Sequence, residues 1–83
     1  MYHVYLLQSE KDQGFYIDFT TRTVEQRLVE HQHGLVDSTK HRQPVKLVYY
    51  EAYENETMAR KRELELKRFA SSYQGLMKRL GYK

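Results

Sequence analysis

An α+β domain is the fold class this sequence predicts: a central three-stranded, mostly antiparallel sheet flanked by helices, in the order β-β-α-β-α-α. Three observations carry it. Two runs rich in aromatic and aliphatic residues, 2–8 and 14–20, flank the polar stretch Ser9-Glu10-Lys11-Asp12-Gln13-Gly14, the pattern of a hairpin. A third such run, Lys46 to Tyr53, follows a segment whose apolar residues recur at helical spacing. After it the chain turns to helical periodicity up to Gly81. At 83 residues this reads as one small domain, 1–83, with a core near the lower limit of what folds without staples.

In the second strand Phe15, Ile17 and Phe19 share one face and Tyr16, Asp18 and Thr20 the other, because side chains alternate along a strand. One face belongs to the core; the other is available for chemistry. The first helix opens at Thr23, with Gln26 at capping-box spacing, and closes near Gly34. Val24, Leu28, His31 and Leu35 form its stripe, with Arg27 on the border. A polar, basic loop from Asp37 leads to Pro44 and the third strand. Asn55 caps a helix over 56–69, on which Ala59, Glu63, Leu66 and Ala70 fall in line, so that Glu63 interrupts an apolar face. Ser71 and Gln74, again at capping-box spacing, start a last helix that buries Tyr73, Leu76, Met77 and Leu80 and ends at Gly81.

The chain has no cysteine, which removes disulfides and thiolate zinc sites and fits a reducing cytoplasm. No apolar run is long enough to cross a bilayer, so the expectation is a soluble cytoplasmic protein without a membrane partner. The net charge of +3 hides an uneven distribution: six basic against nine acidic residues up to Met58, then eight against two from Arg60 onward. A basic C-terminal third suits a polyanion, and it equally suits a solvated helix face.

Taken with their order, these residues resemble the GIY-YIG nuclease domain, in particular small stand-alone bacterial proteins that consist of little else. His3-Val4-Tyr5 and Tyr16-Ile17-Asp18 stand at its two strand motifs, and Arg27-Leu28-Val29-Glu30-His31 at its helix signature. Arg42-Gln43-Pro44 with Leu47-Val48-Tyr49-Tyr50-Glu51 matches its third-strand block, and Ala59 to Lys67 its glutamate helix. Five blocks in order cover nearly the whole chain, which two tyrosine motifs alone would not achieve.

The resemblance implies a DNA endonuclease that depends on Mg²⁺ or Mn²⁺, with Tyr5, Tyr16, Arg27 and His31 as catalytic residues and Glu63 as metal ligand. Arg27 would clamp the phosphate, since guanidinium stays charged and offers several donors. Tyr5 would take a proton from attacking water, provided that Arg27 and the metal lower a phenol whose ordinary pKa is about 10. Tyr16 would position water or phosphate, and His31 would hold Tyr5 or serve as an alternative base. A hard cation on the single carboxylate of Glu63 would retain several waters. Thr39, Lys40, Arg42 and Lys67 would meet the nucleic-acid backbone.

Taken singly, the residues have plainer readings: cross-strand aromatics for Tyr5 and Tyr16, a pair with Glu30 for Arg27, a pair with Lys67 for Glu63. Asp18 departs from the pattern, standing where the family has glycine and on the same face as Tyr16. A carboxylate there either joins the metal as a second ligand or repels phosphate and fills the cleft. The alternative to an enzyme is thus a non-catalytic nucleic-acid-binding module. A protein-interaction domain, resting on the Tyr49/Tyr50/Tyr53 cluster, is a third reading.

Overall fold

The computed structural model describes residues 1–82; Lys83, counted above in the basic third, lies outside them. Strands β1 (Tyr2–Ser9), β2 (Phe15–Thr20) and β3 (Val45–Tyr53) form one antiparallel sheet in the order β2-β1-β3. Helix α1 (Val24–Gln32) joins the hairpin to β3, and α2 (Glu56–Arg68) and α3 (Ala70–Arg79) follow. This is the α+β order that the hydrophobic patterns predict.

Because β1 lies between two partners, it is buried continuously from Val4 to Ser9 while its alternate side chains serve opposite layers. Val4 and Leu6 face Ala59 and Leu66 of α2 and Leu76 and Met77 of α3, joined by Phe15, Ile17 and Phe19 from β2. Tyr5 and Leu7 face the opposite way, with Val24 and Leu28 of α1, Val45 and Leu47 of β3, and Tyr16 of β2. The alternation read in the second strand therefore holds: its apolar face packs under α2 and α3, and Tyr16 and Asp18 belong to the face of Tyr5.

Local signals fix the start of α1. The Thr23 hydroxyl accepts from Gln26 N at 3.1 Å, and the Gln26 side chain accepts from Thr23 N at 3.3 Å, a complete capping box. The helical stripe ends earlier than expected. Gly34 turns the chain at φ +73°, and Leu35 beyond it is 71% exposed, so His31 is the last buried residue of that face. Asn55 caps α2 by accepting from Met58 N at 3.2 Å.

The junction of the last two helices differs from the capping-box expectation. Phe69, in an extended conformation, ends α2 and begins α3, so Ser71 and Gln74 lie inside the first turns, where no side chain caps the helix. Ala70 is consequently an exposed residue of α3 and not part of the buried stripe of α2. The buried side of α3 is as expected, with Leu76 and Met77 at its centre and Tyr73 and Leu80 beside them. Among the described residues no helix is long and apolar enough to cross a membrane.

Candidate active site

The strand register places Tyr5 directly opposite Asp18 on the face covered by α1. Arg27 and His31, one helical turn apart, come down on this pair. The Tyr5 hydroxyl lies 2.9 Å from His31 Nε2 and 3.2 Å from Asp18 Oδ2, and it accepts from Arg27 Nε at 3.2 Å. Arg27 Nη2 donates to the same Asp18 oxygen at 3.3 Å, and His31 Nε2 stands 3.7 Å from it. The other oxygen, Oδ1, accepts from Phe19 N at 2.8 Å. Four of the residues singled out in the sequence thus form one polar cluster.

Two neighbours hold this cluster in place. Glu30 Oε1 accepts from Arg27 Nη1 and from Arg22 Nη2, both at 2.7 Å, tethering the guanidinium from outside. The Thr39 hydroxyl, fully buried, lies 2.7 Å from His31 Nδ1. When the Tyr5 proton points at Asp18, His31 donates from Nε2 and the Thr39 hydroxyl donates to Nδ1. The expectation that Thr39 meets the nucleic-acid backbone is corrected: it orients the imidazole from beneath. Lys40 and Arg42 are exposed on the same loop, each 3.5 Å from a carboxylate, Asp37 and Asp12 respectively.

The electrostatics turn on Asp18. Burial opposes its ionisation, but the His31 imidazole, the Phe19 N–H, the Arg27 charge and the Tyr5 hydroxyl outweigh that and bring its pKa down to about 2. Tyr5 moves the opposite way from the one its role as proton acceptor requires. Burial first and the Asp18 charge second raise its phenol well above the ordinary value, and Arg27 only partly offsets them. With Asp18 in place, Tyr5 is a hydrogen-bond donor at neutral pH.

The sign of the Asp18 shift sets a pH dependence. A carboxyl whose folded pKa is depressed stabilises the fold above its unfolded value near 3.8, and that contribution is lost as pH falls toward 2. It amounts to about 2 kcal/mol. Denaturant midpoints measured from pH 6 to pH 2 should show an advantage of the parent chain over Asp18→Asn that shrinks below pH 4. A constant gap across that range would mean that Asp18 is not ionised within this cluster.

Asp18 also looks outward. With Phe15, Tyr16 and Ile17 it forms one side of an open cleft of about 610 Å³, closed by Ser38 and by the α2–α3 junction from Leu66 to Ala70 with Tyr73. Tyr16 shares this cleft without joining the cluster. Its hydroxyl reaches toward the hairpin turn, where a Cβ on Gly14 would lie 3.5 Å from it.

Glu63 makes no hydrogen bond or ion pair with these residues. Its carboxylate, 19% exposed, accepts from Lys67 Nζ at 3.0 Å, the i,i+4 pair that its position on the helix allows. Among the described residues its Oε1 has no hydrogen-bond donor, and no group of three or more potential metal ligands comes together. One partly shielded carboxylate fits a hard cation that keeps most of its waters, with Oε1 as the available oxygen. Asp18 does not fit as a second ligand, because donors already hold both its oxygens and a guanidinium stands 3.3 Å away.

Sequence reasoning missed the cleft wall at Phe69 and Tyr73; the signal was an aromatic residue directly after Lys67 and Arg68. It also missed Glu51, which takes Arg62 through both oxygens at 3.0 to 3.2 Å and accepts from the Tyr49 and Tyr53 hydroxyls. That network occupies two of the three tyrosines on which a protein-interaction reading rested.

A hairpin that pairs Tyr5 with Asp18 and carries Tyr16 on its second strand, followed by a helix that sets arginine and histidine over Tyr5, defines a class of small α+β domains with a polar centre on one face of the sheet. Residues 1–76 match the family model described as the GIY-YIG catalytic domain, and the chain belongs to that family of nuclease-like proteins. It is 39% identical over 70 residues to a UPF0213 protein of Staphylococcus haemolyticus, covering 83% of each chain. A UPF0213 protein of Staphylococcus saprophyticus is 34% identical over 70 residues, also 83% of each chain. One from Clostridium perfringens is 39% identical over 69 residues, 82% of this chain and 72% of its own. No solved structure gives a significant match.

Proposed function

We propose that the chain is a metal-dependent endonuclease-like protein that hydrolyses DNA phosphodiester bonds, as a single cytoplasmic domain whose resting site is occupied by its own Asp18. One observation carries this reading. Guanidinium, phenol and imidazole converge on a single anionic oxygen, Asp18 Oδ2, at 3.3, 3.2 and 3.7 Å. A phosphate oxygen has the same charge and accepting capacity, so a site that holds this carboxylate has the donors to hold a phosphodiester.

In that role Arg27 neutralises the phosphate and the charge that grows on it in the transition state. Tyr5 and His31 share one proton across 2.9 Å, and Thr39 sets which imidazole nitrogen takes part. Tyr16 lines the path by which substrate reaches Asp18. Glu63 would hold the divalent ion, Mg²⁺ or Mn²⁺, once Lys67 turns toward the nucleic acid; the ion would supply further charge neutralisation at the scissile phosphate. The basic residues that follow Arg60, with Lys40 and Arg42 on the loop, supply sequence-independent affinity for the backbone.

Incubation of the purified chain with supercoiled plasmid and Mg²⁺ or Mn²⁺ should give nicked and linear products, absent with EDTA and in Glu63→Gln. Undiminished cleavage by Glu63→Gln removes the metal role assigned to that residue.

The depressed Asp18 and the raised Tyr5 favour a second reading, in which the same site binds nucleic acid without cutting it. It differs in outcome: salt-sensitive binding with no product in any metal.

A further inference from the structure

We propose that Phe69 is a base-stacking platform, so that the cleft beside Asp18 takes an unpaired nucleotide and the chain acts on single-stranded or frayed nucleic acid. The inference rests on the nuclease reading above and names the substrate form that its site admits. Phe69 is 57% exposed although it stands at the junction where α2 ends and α3 begins. Its backbone does structural work there, at φ −109° and ψ 109°, but its ring joins neither hydrophobic core. The ring instead lines the same cleft as Tyr16, Asp18 and Tyr73.

The surroundings match one chemistry. Lys67 and Arg68 directly precede Phe69 and line the cleft with it, and among the described residues Arg68 forms no ion pair. The Tyr16 and Tyr73 hydroxyls have no hydrogen-bond partner within the described chain, which leaves both able to meet a phosphate or a base edge. Cations that follow a phosphate backbone, interleaved with an exposed ring, are how proteins hold single strands. A paired base cannot stack on Phe69, because in a duplex both of its faces are already covered. A base freed from its partner can, and its phosphate then lies in the cleft that Asp18, Lys67 and Arg68 line.

The chain contains no tryptophan, so Phe69→Trp carries a single fluorescent reporter at the proposed platform. In EDTA, where cleavage cannot occur, a short oligothymidylate should quench its emission and a hairpin duplex of equal length should not. Phe69→Leu, which keeps an apolar residue at the helix junction, should bind the single strand about tenfold more weakly, with duplex affinity and melting temperature unchanged. Equal single-strand affinity in Phe69→Leu, or oligonucleotide binding that leaves the Phe69→Trp emission unaltered, overturns the platform. Metal-dependent plasmid cleavage is scored separately, so the platform can fail while the nuclease reading stands. Absence of binding to either form removes the platform, and absence of plasmid cleavage in every metal removes the nuclease reading.

Discussion

Replacing Asp18 by glycine should raise metal-dependent cleavage by about five- to several-hundredfold. Two like charges about 4 Å apart repel by roughly 1 to 4 kcal/mol at effective dielectrics between water and a protein surface, and each 1.36 kcal/mol is a factor of ten in rate. The carboxylate also misdirects the proton of Tyr5. With Asp18 present, the phenol donates to it at 3.2 Å and is held above its ordinary pKa by burial and by that charge. Once it is gone, the acceptor left to Tyr5 is His31 Nε2 at 2.9 Å, and the lowering influence of Arg27 is no longer opposed by Asp18. The exchange has a stability cost, since glycine inside a strand is worth roughly 0.5 to 1 kcal/mol against folding and an ion pair is lost. Asp18→Asn separates charge from volume, for it keeps the shape and should recover part of the gain. Initial rates on plasmid would decide the matter, and equal rates in parent, Asp18→Asn and Asp18→Gly would mean that the carboxylate does not obstruct the site.

Arg27→Ala should abolish that activity, by about a hundred- to a thousandfold in turnover, the usual loss when one donor to a developing oxyanion is removed. The Asp18→Gly background makes the loss easiest to measure. Lysine should not rescue it, because an ammonium cannot reproduce a fork that reaches Tyr5, Asp18 and Glu30 through three separate nitrogens. Stability should fall as well, since Arg27→Ala leaves Asp18 and Glu30 facing the site without their shared cation. A double mutant distinguishes the two effects. Arg27→Ala combined with Asp18→Gly should regain part of the lost melting temperature and none of the activity. Recovery of cleavage in that double mutant would remove Arg27 from the chemistry.

The legible and illegible parts of this protein divide along a physical line. The capping box at Thr23 was readable because both partners lie within one helical turn, so spacing alone decides whether they meet. The two faces of the hairpin were readable for the same reason, since alternation fixes Tyr16 and Asp18 to one side once the strand is accepted. The start of the last helix was not. Ser71 and Gln74 had the spacing of a cap, yet the extended backbone of Phe69 set the boundary where α3 packs its Leu76 and Met77 on the sheet. Leu35 had the spacing of the α1 stripe and lies past the residue that ends the helix.

At the site, sequence determined the inventory: two strand tyrosines, an arginine and a histidine one turn apart, a glutamate on a later helix, and an aspartate where the family pattern has glycine. Only the tertiary structure decided how they are used. Cross-strand register set Tyr5 against Asp18, and docking of α1 brought Arg27 onto both. The buried Thr39, eight residues from His31, took its other nitrogen. Glu63 was left with Lys67. These outcomes depend on distances between residues remote in sequence, and no local periodicity encodes them. Alternation and helical spacing are properties of the chain, whereas the charge on Asp18 and the proton on Tyr5 are set by what the packed sheet and helix bring within 4 Å.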